Sequence, residues 1–141
     1  MKTPVEFLKT IYLGDRVCKS ILIDGSQHQL VLRVDCISRI RDPSGRWNFY
    51  RDENIEDGLI VFTDVSSFKI SPLGVIPNDA INELVVDETK VASEQDIMAW
   101  TFRLSIDSIT SDSTNVEAVL EIVSSGIHIE DPCRPGVWIT E

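Results

Sequence analysis

With 141 residues, 43% of them hydrophobic and 26% charged, the chain carries enough apolar material for one folded domain over residues 1–141. A chain of this size buries roughly two thirds of its unfolded surface without a metal or disulfide, which excludes wholesale disorder. The net charge of −10 is unevenly spread: residues 1–51 hold nine Lys or Arg against five Asp or Glu, and residues 52–141 hold four against eighteen. Such an acidic surplus works against a broad phosphate-binding surface and attracts basic partners at long range.

The chain opens on "TPVEFLKTIYLG", where the spacing predicts a short helix over residues 4–13. Thr3 is placed as N-cap, Pro4 suits the first helical position, and Glu6 completes a Thr-x-x-Glu capping box. Phe7, Leu8, Ile11 and Tyr12 form an apolar stripe, and Gly14 is the natural stop. From there the period changes to two. "CKSILIDGSQHQLVLRVDCISRIR" reads as two strands joined at Asp24-Gly25, with a loop that runs on through Ser26 and Gln27. Leu30, Leu32, Val34, Cys36 and Ile40 point one way, while Arg33, Asp35, Arg39 and Arg41 point to solvent. "DPSG" at 42–45 is turn chemistry before "RWNFY".

"GLIVFTDV" (58–65) is almost continuously apolar and predicts a central strand buried on both faces. "SSFKIS" alternates, and "SPLGVIPND" is a loop punctuated by two prolines and a glycine. "INELVV" fits a strand or a helical turn leading into one, and "ASEQD" a loop or single turn. "MAWTFRLSID" places Trp100, Phe102, Leu104 and Ile106 on one face, and "VEAVLEIVSS" directs Ala118, Leu120 and Ile122 inward with Glu117 and Glu121 outward. "GIHIED" and "GVWITE" add two final strands. Strands without interleaved helices argue against a parallel sheet. The expected fold is therefore mainly β: an antiparallel β-sandwich or partly open barrel with one short N-terminal helix.

No strong reaction centre emerges. His128 lies between Ile127 and Ile129, which places it on the solvent face beside Glu130, but two ligands do not make a zinc site. There is no Gly-x-Ser-x-Gly elbow, and Cys36 on an apolar face reads as a core residue. Aligning Gly58 in "DENIEDG" with the invariant glycine of a calcium loop puts Ile55 at a ligand position, so the match fails. Gly45 stands alone beside the arginines, short of a phosphate loop. The group Arg39, Arg41, Arg46 and Arg51 therefore reads as a polar sheet face with local ion pairs, and neither cofactor nor nucleic acid is expected. Three cysteines without a CxxC pair point to a reducing, cytoplasmic compartment. No apolar run reaches the length of a membrane span, and Glu6 and Lys9 interrupt the opening apolar stretch, so neither membrane nor secretory signal is expected.

What remains is surface. If strands 116–124 and 126–131 are neighbours, Glu117, Glu121, Glu130 and Asp131 form an acidic face suited to a basic protein. Trp47 and Tyr50 are the second candidates, since aromatic residues anchor interfaces. The stretches "FLKTIYLGDRVCKSILID", "ISRIRDPSGRWNFYRDENIEDGLIVF" and "PNDAINEL" resemble a family of small uncharacterised bacterial proteins, and the size and charge are similar to those of immunity proteins of toxin systems. That resemblance implies a non-enzymatic module that binds and blocks a basic toxin domain. Two other classes stand beside it: a self-associating accessory protein whose strand edges pair in a homodimer, and a small-ligand barrel or enzyme with a deep apolar pocket.

Overall fold

The computed structural model describes residues 2–40, 54–87, 91–92 and 98–141. Its helix, α1 (Pro4–Leu8), begins with the expected capping box: the Glu6 N–H donates to Thr3 Oγ1 at 3.2 Å, and the Thr3 N–H donates to the Glu6 carboxylate at 2.8 Å. The donated Thr3 backbone N–H holds the Glu6 carboxyl below its ordinary value. The helix is shorter than the expected 4–13. It stops at Leu8 with Lys9 as C-cap, and Ile11–Tyr12 becomes a strand, β1, paired with β4 (Cys36–Arg39). Thr10 and Ile11 are β-branched, and pairing with Ser38 and Arg39 lets Ile11 bury its side chain while its backbone joins a ladder.

The remaining strands are β2 (Cys18–Asp24), β3 (Gln29–Val34), β5 (Ile55–Glu56), β6 (Leu59–Thr63), β7 (Ser67–Ser71), β8 (Ile81–Val86), β9 (Val91–Ala92), β10 (Met98–Ile109), β11 (Asn115–Ser124) and β12 (Gly126–Glu130). All pairings are antiparallel. One sheet runs β12-β6-β3-β2, a second runs β7-β11-β10-β8 with β9 on β10, and a small third runs β1-β4-β5. The chain is mainly β, and its two larger sheets face each other as a sandwich. Leu30, Leu32, Val34, Ile60, Phe62 and Ile129 of the first sheet share one core with Phe102, Leu104, Ile106, Ala118, Leu120 and Ile122 of the second. Phe62 and Phe102 meet edge to face across the gap, with centroids 5.1 Å apart. As expected, β6 lies centrally and is buried on both faces.

Along one side the sheets share a bent corner. β6 passes through residues 64–66 into β7, and β11 passes through Ser125 alone into β12, so each of two continuous runs changes sheet. On the other side one bridge, Val17–Ala80, laces the start of β2 to the start of β8, and the two sheets do not close into a barrel.

The period-two reading holds through β3, where Leu30, Leu32 and Val34 are buried and Arg33 is exposed. It fails after Asp35. There the carboxylate accepts the N–H groups of Val17 and Cys36, both at 2.9 Å, in a bend that releases β4 into the small sheet. Arg39, expected on the solvent side, is consequently buried, and its Nη2 donates to the main-chain oxygen of Glu141. The expected final strand "GVWITE" is reduced to one bridge, Ile139 with Ile129. Arg41, Arg46, Trp47, Tyr50 and Arg51, the DPSG turn and residues 93–96 of "ASEQD" lie outside the described residues. Among the described residues no helix is long and apolar enough to cross a membrane.

Candidate functional site

The expected acidic face does not assemble. A single residue, Ser125, separates β11 from β12, and one residue cannot reverse a chain into a hairpin. The two strands therefore lie in different sheets, with Glu117 and Glu121 on the second and Glu130 on the first. Glu121 also does not stand among like charges. It stands between Lys69 of β7 and Arg103 of β10 in the cross-strand register, so that row is balanced. Glu130 meets the imidazole of His128 on the outer face of β12, with Oε1 3.1 Å from Nε2. Asp131 shapes the following turn by accepting the Cys133 N–H at 2.9 Å. It also borders a cleft of about 460 Å³ with Arg39, Asn54, Ile55 and Arg134.

His128 corrects a second expectation. Its side chain does leave the core face, but the outer face is covered at that point: the Trp138 ring stacks on the imidazole with centroids 4.3 Å apart and planes 13° from parallel. Burial lowers the imidazole's proton affinity, against the opposing pull of Glu130. Among the described residues no three His, Cys, Asp or Glu side chains are grouped to hold a metal ion. Cys36, expected in the core, is half-buried, whereas Cys18 is buried and its thiol is pushed up to about 11 by desolvation, out of the nucleophilic range.

Glu117 is different. In the register it faces Asp107 of β10, a like-charge pair directly across the ladder, at the end of the sheet beyond the balanced row. Opposed like charges cost stability when nothing basic lies over them. The Asn82 amide donates to Asp107 Oδ1 at 2.8 Å and offsets part of that cost. Exposed Glu83 on β8 and Asp112 in the adjoining turn extend the acidic end, and the hydroxyl of Thr110 holds the Asp112 carboxyl below its ordinary value.

The same end carries a feature within the expected loop "SPLGVIPND". After β7, Pro72 ends the ladder because it has no N–H to donate, and Gly74 takes the left-handed conformation at φ 81°. Val75 packs on the core and Pro77 is buried, so Ile76 between them points out, and Leu73, two residues before Val75, is exposed as well. Leu73 is 92% exposed and Ile76 is 74% exposed. The backbone beneath them is pinned. Ser108 Oγ donates to the Ile76 carbonyl at 2.5 Å, and the Asn78 and Asp79 N–H groups both donate to the Asp107 carbonyl at 3.1 and 3.0 Å. The Asn78 amide accepts the Ile109 N–H at 2.8 Å and donates to the Ile109 carbonyl at 2.9 Å, standing in for a strand neighbour. Ile76 is thus held out on a pinned backbone beside an acidic sheet end, with Leu73 exposed three residues before it. The readable signal was Leu73 and Ile76 themselves, bulky aliphatics set among turn formers.

Comparison with known proteins places the whole chain, residues 1–141, in one family. The chain belongs to the DUF6258 family of unknown function. No curated protein and no solved structure matches it. Membership of the family brings no activity, substrate or partner with it, so the case for function rests on the surface just described.

Proposed function

We propose that this protein is a non-enzymatic binding module that grips a basic protein with the end of its second sheet. Leu73 and Ile76 enter an apolar pocket on the partner, and Asp107, Asp112 and Glu117 meet basic side chains around that pocket. A toxin domain neutralised by occlusion is the partner class that suits this chemistry. The supporting observation is the pair of nearly bare aliphatic side chains on a loop fixed by Ser108 and Asn78. Preorganised apolar anchors bind without first losing conformational freedom, and they carry most of the affinity when a charged rim surrounds them. The acidic rim speeds encounter and selects the sign of the partner.

The test is to purify the products of the reading frames adjoining this one and titrate each against the chain. A 1:1 complex is expected whose affinity falls by about 100-fold or more in Leu73→Asp/Ile76→Asp, the loss typical of central anchors. Glu117→Gln should instead slow association and flatten its salt dependence. Absence of a complex with any adjoining product, or a complex indifferent to the loop double variant, sinks the reading.

A further inference from the structure

Among the described residues the main paths of the two larger sheets end on four strands, β12, β2, β7 and β8, and three of them are blunted against pairing with another chain. On β12 the outer edge is taken by Ile139, which exchanges two backbone hydrogen bonds with Ile129 at 3.0 and 2.9 Å. On β8 the first residues are tied to the β2 approach through Ile81 N–H to Arg16 carbonyl at 2.8 Å, and Leu8, Ile11 and Leu13 stand beside Ile81 and Leu84. β7 is five residues long, carries Lys69 at its centre and ends at Pro72. Lysine, proline and shortness are the ordinary protections of a sheet edge.

β2 has none of them over its second half. No described strand pairs with its outer side, and it presents Ile21, Leu22 and Ile23 in succession, with Leu22 58% and Ile23 63% exposed on opposite faces. Its one lysine, Lys19, is drawn back onto Asp57 of the same chain. An exposed apolar edge of this kind is a template for β-pairing, and it stands in contrast to the blunted edges of β12, β8 and β7.

We infer that β2 is a homodimer edge, pairing antiparallel with β2 of a second copy about a two-fold axis to make one eight-stranded sheet from two four-stranded ones. Symmetry restricts the register. A two-fold axis normal to the sheet keeps each side chain on its own face, so paired residues must be both odd or both even in number. The register centred on Leu22 sets Leu22 against its own counterpart, Ile21 against Ile23 twice, and Ser20 against Asp24 twice. Centred on Ile21, it would set Lys19 against Ile23 and Ser20 against Leu22, polar against apolar. The Leu22-centred register is therefore self-complementary on both faces, and apolar cross-strand pairs stabilise it. This edge is separate from the Leu73–Ile76 surface, and the dimer stands or falls independently of the partner proposed above.

Sedimentation of the full chain from about 1 to 200 µM tests the dimer, since weak edge-paired dimers dissociate in that range. A concentration-dependent dimer is expected, weakened about 100-fold by Leu22→Lys/Ile23→Lys; both side chains are more than half exposed in the single chain, so at about 1 µM, where the parent is monomeric, the thermal midpoint should match the parent's. In a Cys133→Ser background, mild oxidation of Leu22→Cys should give a covalent dimer, and Lys19→Cys should not. A chain monomeric throughout, a dimer indifferent to the lysine pair, or cross-linking at position 19 rather than 22 overturns the inference.

Discussion

Two of the described segments that expose large apolar side chains, the C-terminal segment and the loop after β7, do so for opposite reasons. Trp138, in the C-terminal segment, is 59% exposed, yet one face of its ring lies on His128 while its neighbour Ile139 closes the β12 edge. Its exposure is the outer side of a cover. Leu73 and Ile76 are almost wholly exposed and cover no described residue in the way Trp138 does: Val75 and Pro77 supply the loop's buried side chains, and Ser108 and Asn78 hold its backbone. The difference teaches that fractional exposure alone does not mark a binding surface. What marks one is an exposed apolar side chain that the fold does not use, on a backbone that the fold has gone to some length to fix.

The contrast breaks first at Trp138. Trp138→Ala removes the ring that covers His128 and loosens the segment that closes the edge, so it should cost about 2 kcal/mol and lower the thermal midpoint by several degrees. Chemical denaturation should show the same loss, and a shift within experimental error would make Trp138 as idle as Leu73. Next comes Asn78→Ala. It strips the Ile109 N–H and carbonyl of their side-chain partners and should cost about 1–2 kcal/mol. Hydrogen exchange of the loop amides should quicken, and partner affinity should fall although Asn78 itself is no anchor. Unchanged exchange would mean that Ser108 alone fixes the loop.

A smaller effect sharpens the other half of the comparison. The folded imidazole of His128 binds its proton less readily than the ordinary value of 6.5, because burial disfavours the charge more than Glu130 restores it. A depressed folded pKa means that protonation favours the unfolded chain. Its contribution to stability is therefore complete above about pH 6.5 and is lost as pH falls from there toward the lower folded value. His128→Phe keeps a ring under Trp138 and cannot titrate, so the parent should lose unfolding free energy relative to this variant in that acid window, and the difference should stay flat above about pH 7. A difference that does not change with pH would show that the cover does not desolvate the imidazole.

Sequence periodicity made most of the fold legible, for a physical reason. One face of a β3 or β10 strand is wet and the other dry, and Leu30-Leu32-Val34 and Phe102-Leu104-Ile106 record this directly. Arg39 and His128 depart from the period because their cover comes from far along the chain, from Glu141 and Trp138, and no local period reports that. The pairing of β11 with β12 was misjudged although the warning was local: Ser125 alone cannot make a turn. Of the candidate site, the acidic end was half visible in Glu117. Its selection over Glu121 depends on Lys69 and Arg103 standing beside the latter, and strand register is not written in either strand alone.

The smallest expected effect is the one that decides the comparison. Leu73→Ser and Ile76→Ser replace side chains already surrounded by water, so each should leave unfolding free energy within about 0.5 kcal/mol of the parent. Serine in place of an exposed aliphatic also lessens nonspecific association, so solubility should hold or improve. Thermal and urea unfolding read this directly. If either variant cost as much as Trp138→Ala, the loop would be packing against something that stabilises the fold, its exposure would be the outer side of another cover, and the reason to regard it as an interface would be gone. If both are silent in unfolding while partner affinity collapses, stability and recognition are carried by different side chains at this end of the sheet, and only the second kind is spent on Leu73 and Ile76.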